Sequence, residues 1–319
     1  MRSAPVSARL GALGESLTLA VDMKVQDLVA KGRDIVNLSA GQPDFPTPPH
    51  ICEAAAAAVA AGATRYTPPG GTKELRAEAA RFFRETSGVA ATMENTIVTC
   101  GAKHALYNAM IAVLEPGDEV LLPSPYWVSY PEQVKLAGGS GIPVAPASGL
   151  KVTPADLERA RTGRTRLLVF NSPNNPTGAV YGEEEVAAIV SWCLEHDVLI
   201  LSDEIYNRLV FEGARPKSPA SLGDEAAAIT LTVDGVSKSH AMTGWRIGFM
   251  TGPMATVKAI GKFQGQTTGN PAAVSQAAAL AALRAPAEDV EIMRQAYERR
   301  RSLALEALAS CPGTELVPP

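Results

Sequence analysis

The sequence predicts an α/β fold built on a mostly parallel sheet. Three observations lead there: short apolar runs bounded by turn residues, longer helical patterns alternating with them, and chemistry-bearing segments that fall just after the runs. Parallel neighbours need crossover connections, so the alternation itself argues for parallel pairing.

Strands are expected at 96–99, 119–122, 166–170 and 198–201, each rich in Val, Leu or Ile. Helices are expected at 50–61, 72–86, 103–114, 183–195 and 273–283. The alanine-rich stretch 54–61 lies between Glu53 and Gly62 and reads as helix, because alanine has the best helix propensity and glycine ends the pattern. A charge-rich segment, 294–308, also reads as helix and leads towards a second, smaller domain. No fixed-period repeat is present.

A chain of 319 residues can bury a large core. Its 46% hydrophobic and 19% charged content is that of a soluble globular protein, and a net charge of −4 without any basic stripe argues against a nucleic-acid partner. Cys52, Cys100, Cys193 and Cys311 form no metal-ligand spacing, so no metal is expected and a reducing compartment is. The first twenty residues lack the apolar core of a signal peptide, and apolar stretches elsewhere are interrupted before membrane-spanning length. A cytoplasmic protein with no membrane partner is the expectation.

The segment Ser237-Lys238-Ser239-His240-Ala241-Met242-Thr243-Gly244-Trp245-Arg246-Ile247-Gly248 sets a lysine among small and apolar residues. A lysine amine attacks a carbonyl only when unprotonated, so it needs desolvation or a neighbouring positive charge. Arg246 can supply that charge while gripping an anion such as phosphate. Alone, such a lysine is more often an ordinary surface residue.

Other segments agree with the chemical reading. After the first strand, Gly101-Ala102-Lys103-His104 opens a helix whose free N–H groups favour an anion. After 166–170 comes Asn171-Ser172-Pro173-Asn174-Asn175-Pro176-Thr177-Gly178, a rigid turn able to hold a carboxamide against a ligand. After 198–201 comes Ser202-Asp203-Glu204-Ile205-Tyr206, and an acid at the end of a buried strand needs donors or a cation. Ligands bind beyond the carboxyl ends of strands in open α/β sheets. A lysine nucleophile, an anion cradle, an acid for a ring cation, and an amide and phenol for a hydroxyl together describe a site for pyridoxal 5'-phosphate.

With these motifs the chain resembles the class I aminotransferases of pyridoxal-phosphate fold type I, in particular their bacterial aspartate-aminotransferase-like branch. Matching segments run in order along almost the whole chain: Asn37-Leu38-Ser39-Ala40-Gly41-Gln42-Pro43-Asp44-Phe45, Tyr66-Thr67-Pro68-Pro69-Gly70-Gly71, Ser124-Pro125-Tyr126-Trp127-Val128-Ser129-Tyr130-Pro131, and the three loops ending in Gly178, Tyr206 and Gly248. The resemblance implies a three-layer sandwich. It also implies an arm and part of a small domain at 1–48, a large cofactor domain at 49–285, and the incomplete start of the C-terminal small domain at 286–319.

The resemblance assigns roles residue by residue. Lys238 anchors the cofactor and, displaced by substrate, moves the proton at Cα; Asp203 pairs with the pyridinium nitrogen. Asn175 and Tyr206 bond the ring's phenolic oxygen, and Trp127 stacks on the ring. Arg246, Ser237 and the amides of Gly101, Ala102 and Lys103 hold the phosphate. Gly41, Trp127 and Asn175 meet the substrate. Tyr66 reaches the phosphate of a neighbouring subunit, which implies a homodimer with shared sites.

Two departures stand out. Position 235 is glycine where some relatives carry a phosphate-binding serine, leaving Ser237 as the nearest substitute. Relatives also continue beyond Val317-Pro318-Pro319 into the region carrying the arginine for the substrate α-carboxylate, and no residue of this sequence matches it, so the small domain is expected to be interrupted. The implied activity is a ping-pong exchange of an amino group between an L-amino acid, aspartate- or glutamate-like, and a 2-oxo acid. Alternatives on the same fold are a β-lyase and a cofactor-binding fragment with little activity. A DNA-binding regulator is disfavoured, because no basic helix-turn-helix precedes the motifs.

Overall fold

The structure, a computed structural model, describes residues 5–14, 17–38 and 41–319. Ser39 and Ala40 of the first matching segment lie outside the described residues. Among these residues the strands are β1 (Thr96–Thr99), β2 (Glu119–Pro123), β3 (Ser140–Val144), β4 (Thr165–Asn171), β5 (Leu199–Asp203), β6 (Thr230–Gly235) and β7 (Gly248–Thr251). The helices are α1 (Ala8–Gly11), α2 (Leu17–Ala30), α3 (Pro49–Ala60), α4 (Lys73–Ser87), α5 (Ala102–Val113), α6 (Ser129–Leu136), α7 (Pro154–Ala160), α8 (Glu183–Glu195), α9 (Asp224–Ala228), α10 (Met254–Gln266), α11 (Ala273–Arg284) and α12 (Glu288–Ala309).

The strands form one sheet in the order β1-β7-β6-β5-β4-β2-β3. Pairing is parallel from β3 through β2, β4 and β5 to β6, while β7 runs antiparallel to both β6 and β1. The four expected strands and the α/β class are present. β3, β6 and β7 are additions that the sequence reading did not contain, and α12 begins at 288 rather than 294. β3 is an edge strand carrying Gly141 and Pro143, both poor strand signals.

Side-chain alternation along the strands builds a core on each face of the sheet. Leu167 and Val169 of β4 join a cluster with Leu106 and Met110 of α5, Val134 of α6 and Ile260 of α10. Their neighbours Leu168 and Phe170 point the other way, into a cluster with Leu157 of α7 and Val186, Ile189 and Trp192 of α8. Towards β1 and β7, Val98 and Phe249 pack against Leu75, Phe82 and Phe83 of α4 and the alanines of α11. Three layers result, as expected. Among the described residues no helix is long and apolar enough to cross a membrane.

The antiparallel strand matters for function. Because β7 is reversed, its first residue, Gly248, pairs with the last residues of both neighbours, Thr99 of β1 and Gly235 of β6. The carboxyl ends of β1, β4, β5 and β6 and the start of β7 therefore share one edge of the sheet. A Cβ at Gly248 would collide with the backbone of Gly101 and Ala102, so glycine lets the start of α5 approach that edge.

Candidate active site

A cavity of about 580 Å³ lies along this edge. Lys238, three residues beyond β6, is half-buried in its wall. Its Nζ donates to the carbonyl of Gly41 at 2.5 Å and stands 5.8 Å from the centroid of the Tyr206 ring. Desolvation pulls its pKa below the usual lysine range; Asp203 opposes that shift and Arg246 adds to it. This is the environment that leaves a lysine amine free to attack.

Asp203, the last residue of β5, is buried at 3% exposure and lines the same cavity. Burial pushes its pKa up, and that push is opposed by donors. The Tyr130 hydroxyl donates to Oδ2 at 2.7 Å, and the Ile205 amide donates to Oδ1 at 3.3 Å. Asn171, its register partner on β4, donates from Nδ2 to the Asp203 carbonyl at 2.8 Å and accepts from the Asn175 amide at 2.7 Å. The two adjacent acids are thus separated. Glu204 is held elsewhere by the hydroxyls of Ser202 and Ser218, at 2.8 and 2.6 Å, and does not face the cavity.

Asn175 and Tyr206 enter the cavity side by side. Burial, reinforced by the Asp203 charge, raises the Tyr206 phenol to about 12, and a hydrogen bond with the Asn175 side chain works the other way. Trp127 forms another wall, packed edge-on against Tyr130 at 5.4 Å. The Lys103 ammonium stands 4.8 Å from the Trp127 ring centroid. Desolvation and Arg246 both lower the Lys103 pKa.

At the expected anion cradle one glycine meets one arginine. Gly101 precedes α5 with φ +87°, and a Cβ there would come within 2.5 Å of Arg246 Nη2. Arg246, itself left-handed at φ +58°, is fixed by Nη1 donating to the Thr243 carbonyl at 2.9 Å. Its guanidinium therefore lies over the first turn of α5, where the amides of Ala102 and Lys103 have no acceptor within the helix. Ser237 also lines the cavity. At Gly235 a Cβ would stand 3.0 Å from the Ile247 carbonyl and 3.1 Å from Gly248 Cα, so the position has little room for serine.

Of the residues singled out in the sequence, Gly41, Ala102, Lys103, Trp127, Asn175, Asp203, Tyr206, Ser237, Lys238 and Arg246 line this cavity, and Gly101 lies beneath Arg246. Tyr66 does not join them; it is 97% exposed. The sequence reading missed three contributors: Tyr130, Asn171 and the side chain of Lys103. Tyr130 and Asn171 fall inside quoted motifs, yet nothing in the pattern shows that either reaches Asp203.

The family profile described as aminotransferase class I and II matches residues 33–319. The aspartate aminotransferase of Geobacillus stearothermophilus is 46% identical over 316 residues, covering 98% of this chain and 80% of that protein. The aspartate/prephenate aminotransferase of Thermus thermophilus is 47% identical over 310 residues, covering 96% of this chain and 80% of its own length. A solved structure of Thermus thermophilus aspartate aminotransferase with maleate superposes with a TM-score of 0.92 at 47% identity, covering 97% of this chain and 81% of that one.

Proposed function

The chain belongs to the class I and II aminotransferases, and on that premise we propose that it holds pyridoxal 5'-phosphate at Lys238 and moves an amino group between an L-amino acid, aspartate or glutamate, and a 2-oxo acid. One observation carries this reading: a desolvated lysine, a buried acid and an arginine-capped helix start meet in one cavity of about 580 Å³. The donor set suits the cofactor. Arg246 over Gly101 and the free amides of α5 would take its phosphate, and Asp203 its ring nitrogen. Asn175 and Tyr206 would take its phenolic oxygen, and Trp127 offers a flat apolar face to the ring.

When bound, the cofactor supplies an electron sink for the charge left at the substrate's Cα. The chain's own residues do the rest. Lys238 Nζ, whose pKa desolvation lowers, would accept the Cα proton as a general base and give it back as a general acid. Asp203, where donors from the Tyr130 hydroxyl and the Ile205 amide oppose the effect of burial, would hold a proton at the ring nitrogen.

An acidic substrate is favoured by a specific feature. The Lys103 ammonium sits over Trp127 at the cavity wall, a second cation that a side-chain carboxylate can meet. Maleate, the dicarboxylate in the Thermus thermophilus structure, is of the same chemical class. A homodimer is part of the proposal, with Tyr66, 97% exposed in one subunit, reaching the neighbour's phosphate.

The test is spectroscopic. Adding L-aspartate to the cofactor-loaded protein should change the cofactor band, and adding 2-oxoglutarate should restore it. Release of pyruvate and ammonia without any 2-oxo acid would instead identify a β-lyase.

A further inference from the structure

Two glutamines lie fully inside the protein, outside the lining of the Lys238 cavity, and both direct their amide groups at one surface loop. Gln276 of α11 is 1% exposed, and Gln264 of α10 is 0% exposed. Gln276 Nε2 donates to Thr67 Oγ1 at 2.8 Å and to the Pro271 carbonyl at 2.7 Å, while its Oε1 accepts from the Thr72 amide at 2.9 Å. Gln264 Nε2 donates to the carbonyls of Pro69 and Val98 at 2.6 and 2.9 Å, and its Oε1 accepts from Asn108 Nδ2 at 3.1 Å.

The loop thus clamped is 66–71, between α3 and α4. Its own backbone is equally constrained. Val98 N donates to the Gly70 carbonyl at 2.9 Å, tying the loop to β1, and Gly71 holds φ +95° where a Cβ would stand 2.6 Å from Val98 Cγ2. Immediately before these anchors, Tyr66 is 97% exposed.

We propose that Gln276 and Gln264 are positioning residues that fix this loop so that one subunit presents Tyr66 to the cofactor phosphate of its neighbour. The inference rests on the shared-site dimer proposed above. A buried carboxamide is costly unless its groups are bonded, and an apolar residue would fill the same space at less cost. Placing two such groups beneath a loop whose tyrosine contributes nothing to its own subunit's core makes sense when the loop must be rigid before the partner arrives. Preorganisation of this kind removes the ordering cost at the moment of binding.

Mixed dimers separate this role from a merely structural one. One subunit carries Lys238→Ala, so that lysine-linked cofactor absorbance reports only the other subunit's site, whose Tyr66 comes from the Lys238→Ala subunit. Tyr66→Phe in the Lys238→Ala subunit should raise the dissociation constant for pyridoxal 5'-phosphate at the reporting site by about tenfold, the size of one lost hydrogen bond to a charged group. Gln276→Met in that same subunit should act in the same direction by a similar factor, and in the reporting subunit it should leave the constant unchanged. Thr67→Val, which removes the bond from Gln276 and the 3.5 Å bond to the Pro68 carbonyl, should act in the same trans-only manner by about threefold.

If Tyr66→Phe weakens binding but Gln276→Met and Thr67→Val do not, or if they weaken it equally from either subunit, the positioning role is wrong. If Tyr66→Phe itself changes nothing, the shared-site reading fails and the clamp loses its purpose with it.

Discussion

The Tyr130 hydroxyl donates a 2.7 Å hydrogen bond to Asp203 Oδ2 in the buried interior, across 73 positions of sequence. Burial alone would drive Asp203 towards its neutral form, and this donor is the first of the contacts that oppose it. The charge on Asp203, at the end of β5, thus depends on a residue of α6.

Removing that donor should therefore be visible in a pH profile. In Tyr130→Phe the Asp203 pKa rises further, so activity that requires its carboxylate is lost at a higher pH on the acid side than in the wild type. A hydrogen bond to a charged group contributes about 1.5–3 kcal/mol, which predicts at least about a tenfold loss in kcat/KM at neutral pH. An unchanged acid limb would show that Tyr130 only fills space.

If Lys238 is the proposed anchor and general base, turnover in Lys238→Ala should fall by at least about a thousandfold. Phosphate and ring contacts remain, so the variant should still bind pyridoxal 5'-phosphate without a covalent link. Exogenous amines should then restore part of the activity, which a stopped assay with methylamine measures.

At Gly101 the geometry predicts a site-specific defect. Gly101→Ala places a methyl in a backbone region open almost only to glycine, costing about 1–3 kcal/mol of stability, and drives it against the Arg246 guanidinium. Cofactor affinity should drop by about tenfold or more, and excess inorganic phosphate should protect the variant against heat less than it protects the wild type. Equal protection would place the anion elsewhere.

Asp234 offers a test outside the site. Its Oδ1 accepts from the Gly235 amide at 2.6 Å, while Oδ2 is buried without a partner among the described residues. Burial raises its pKa well above 3.8, with Glu204 and Asp203 adding to the shift. An unfolded aspartate loses its proton near 3.8, so between that pH and the raised folded value the native state holds more protons and stability falls as pH rises. Asp234→Asn, neutral throughout, should melt at a higher temperature than the wild type at pH 8, with the gap shrinking towards pH 4. Calorimetry at the two pH values measures it.

How much of this is legible in the sequence depends on the range of each contact. β4 reads directly, because Leu167 to Phe170 alternate between two cores and end at an Asn-Pro turn. β7 does not: it is four residues long and follows a left-handed arginine, and only pairing with both β1 and β6 reveals its direction. Lys238, Asp203 and Asn175 are legible because each lies at or just after the carboxyl end of a strand and carries distinctive chemistry, and Arg246 because it follows that lysine within one motif. Tyr130 and the Gln276 clamp are not, since their partners lie 73 and 209 positions away and no local pattern marks a hydrogen bond across such a span.

Two lysines with lowered pKa line the cavity, Lys238 and Lys103, and the cofactor is proposed to join the first. Borohydride reduction of the loaded protein followed by peptide mass mapping decides between them. A single reduced pyridoxyl-phosphate adduct on Lys238 is expected. An adduct on Lys103 instead, or none on either, would contradict it.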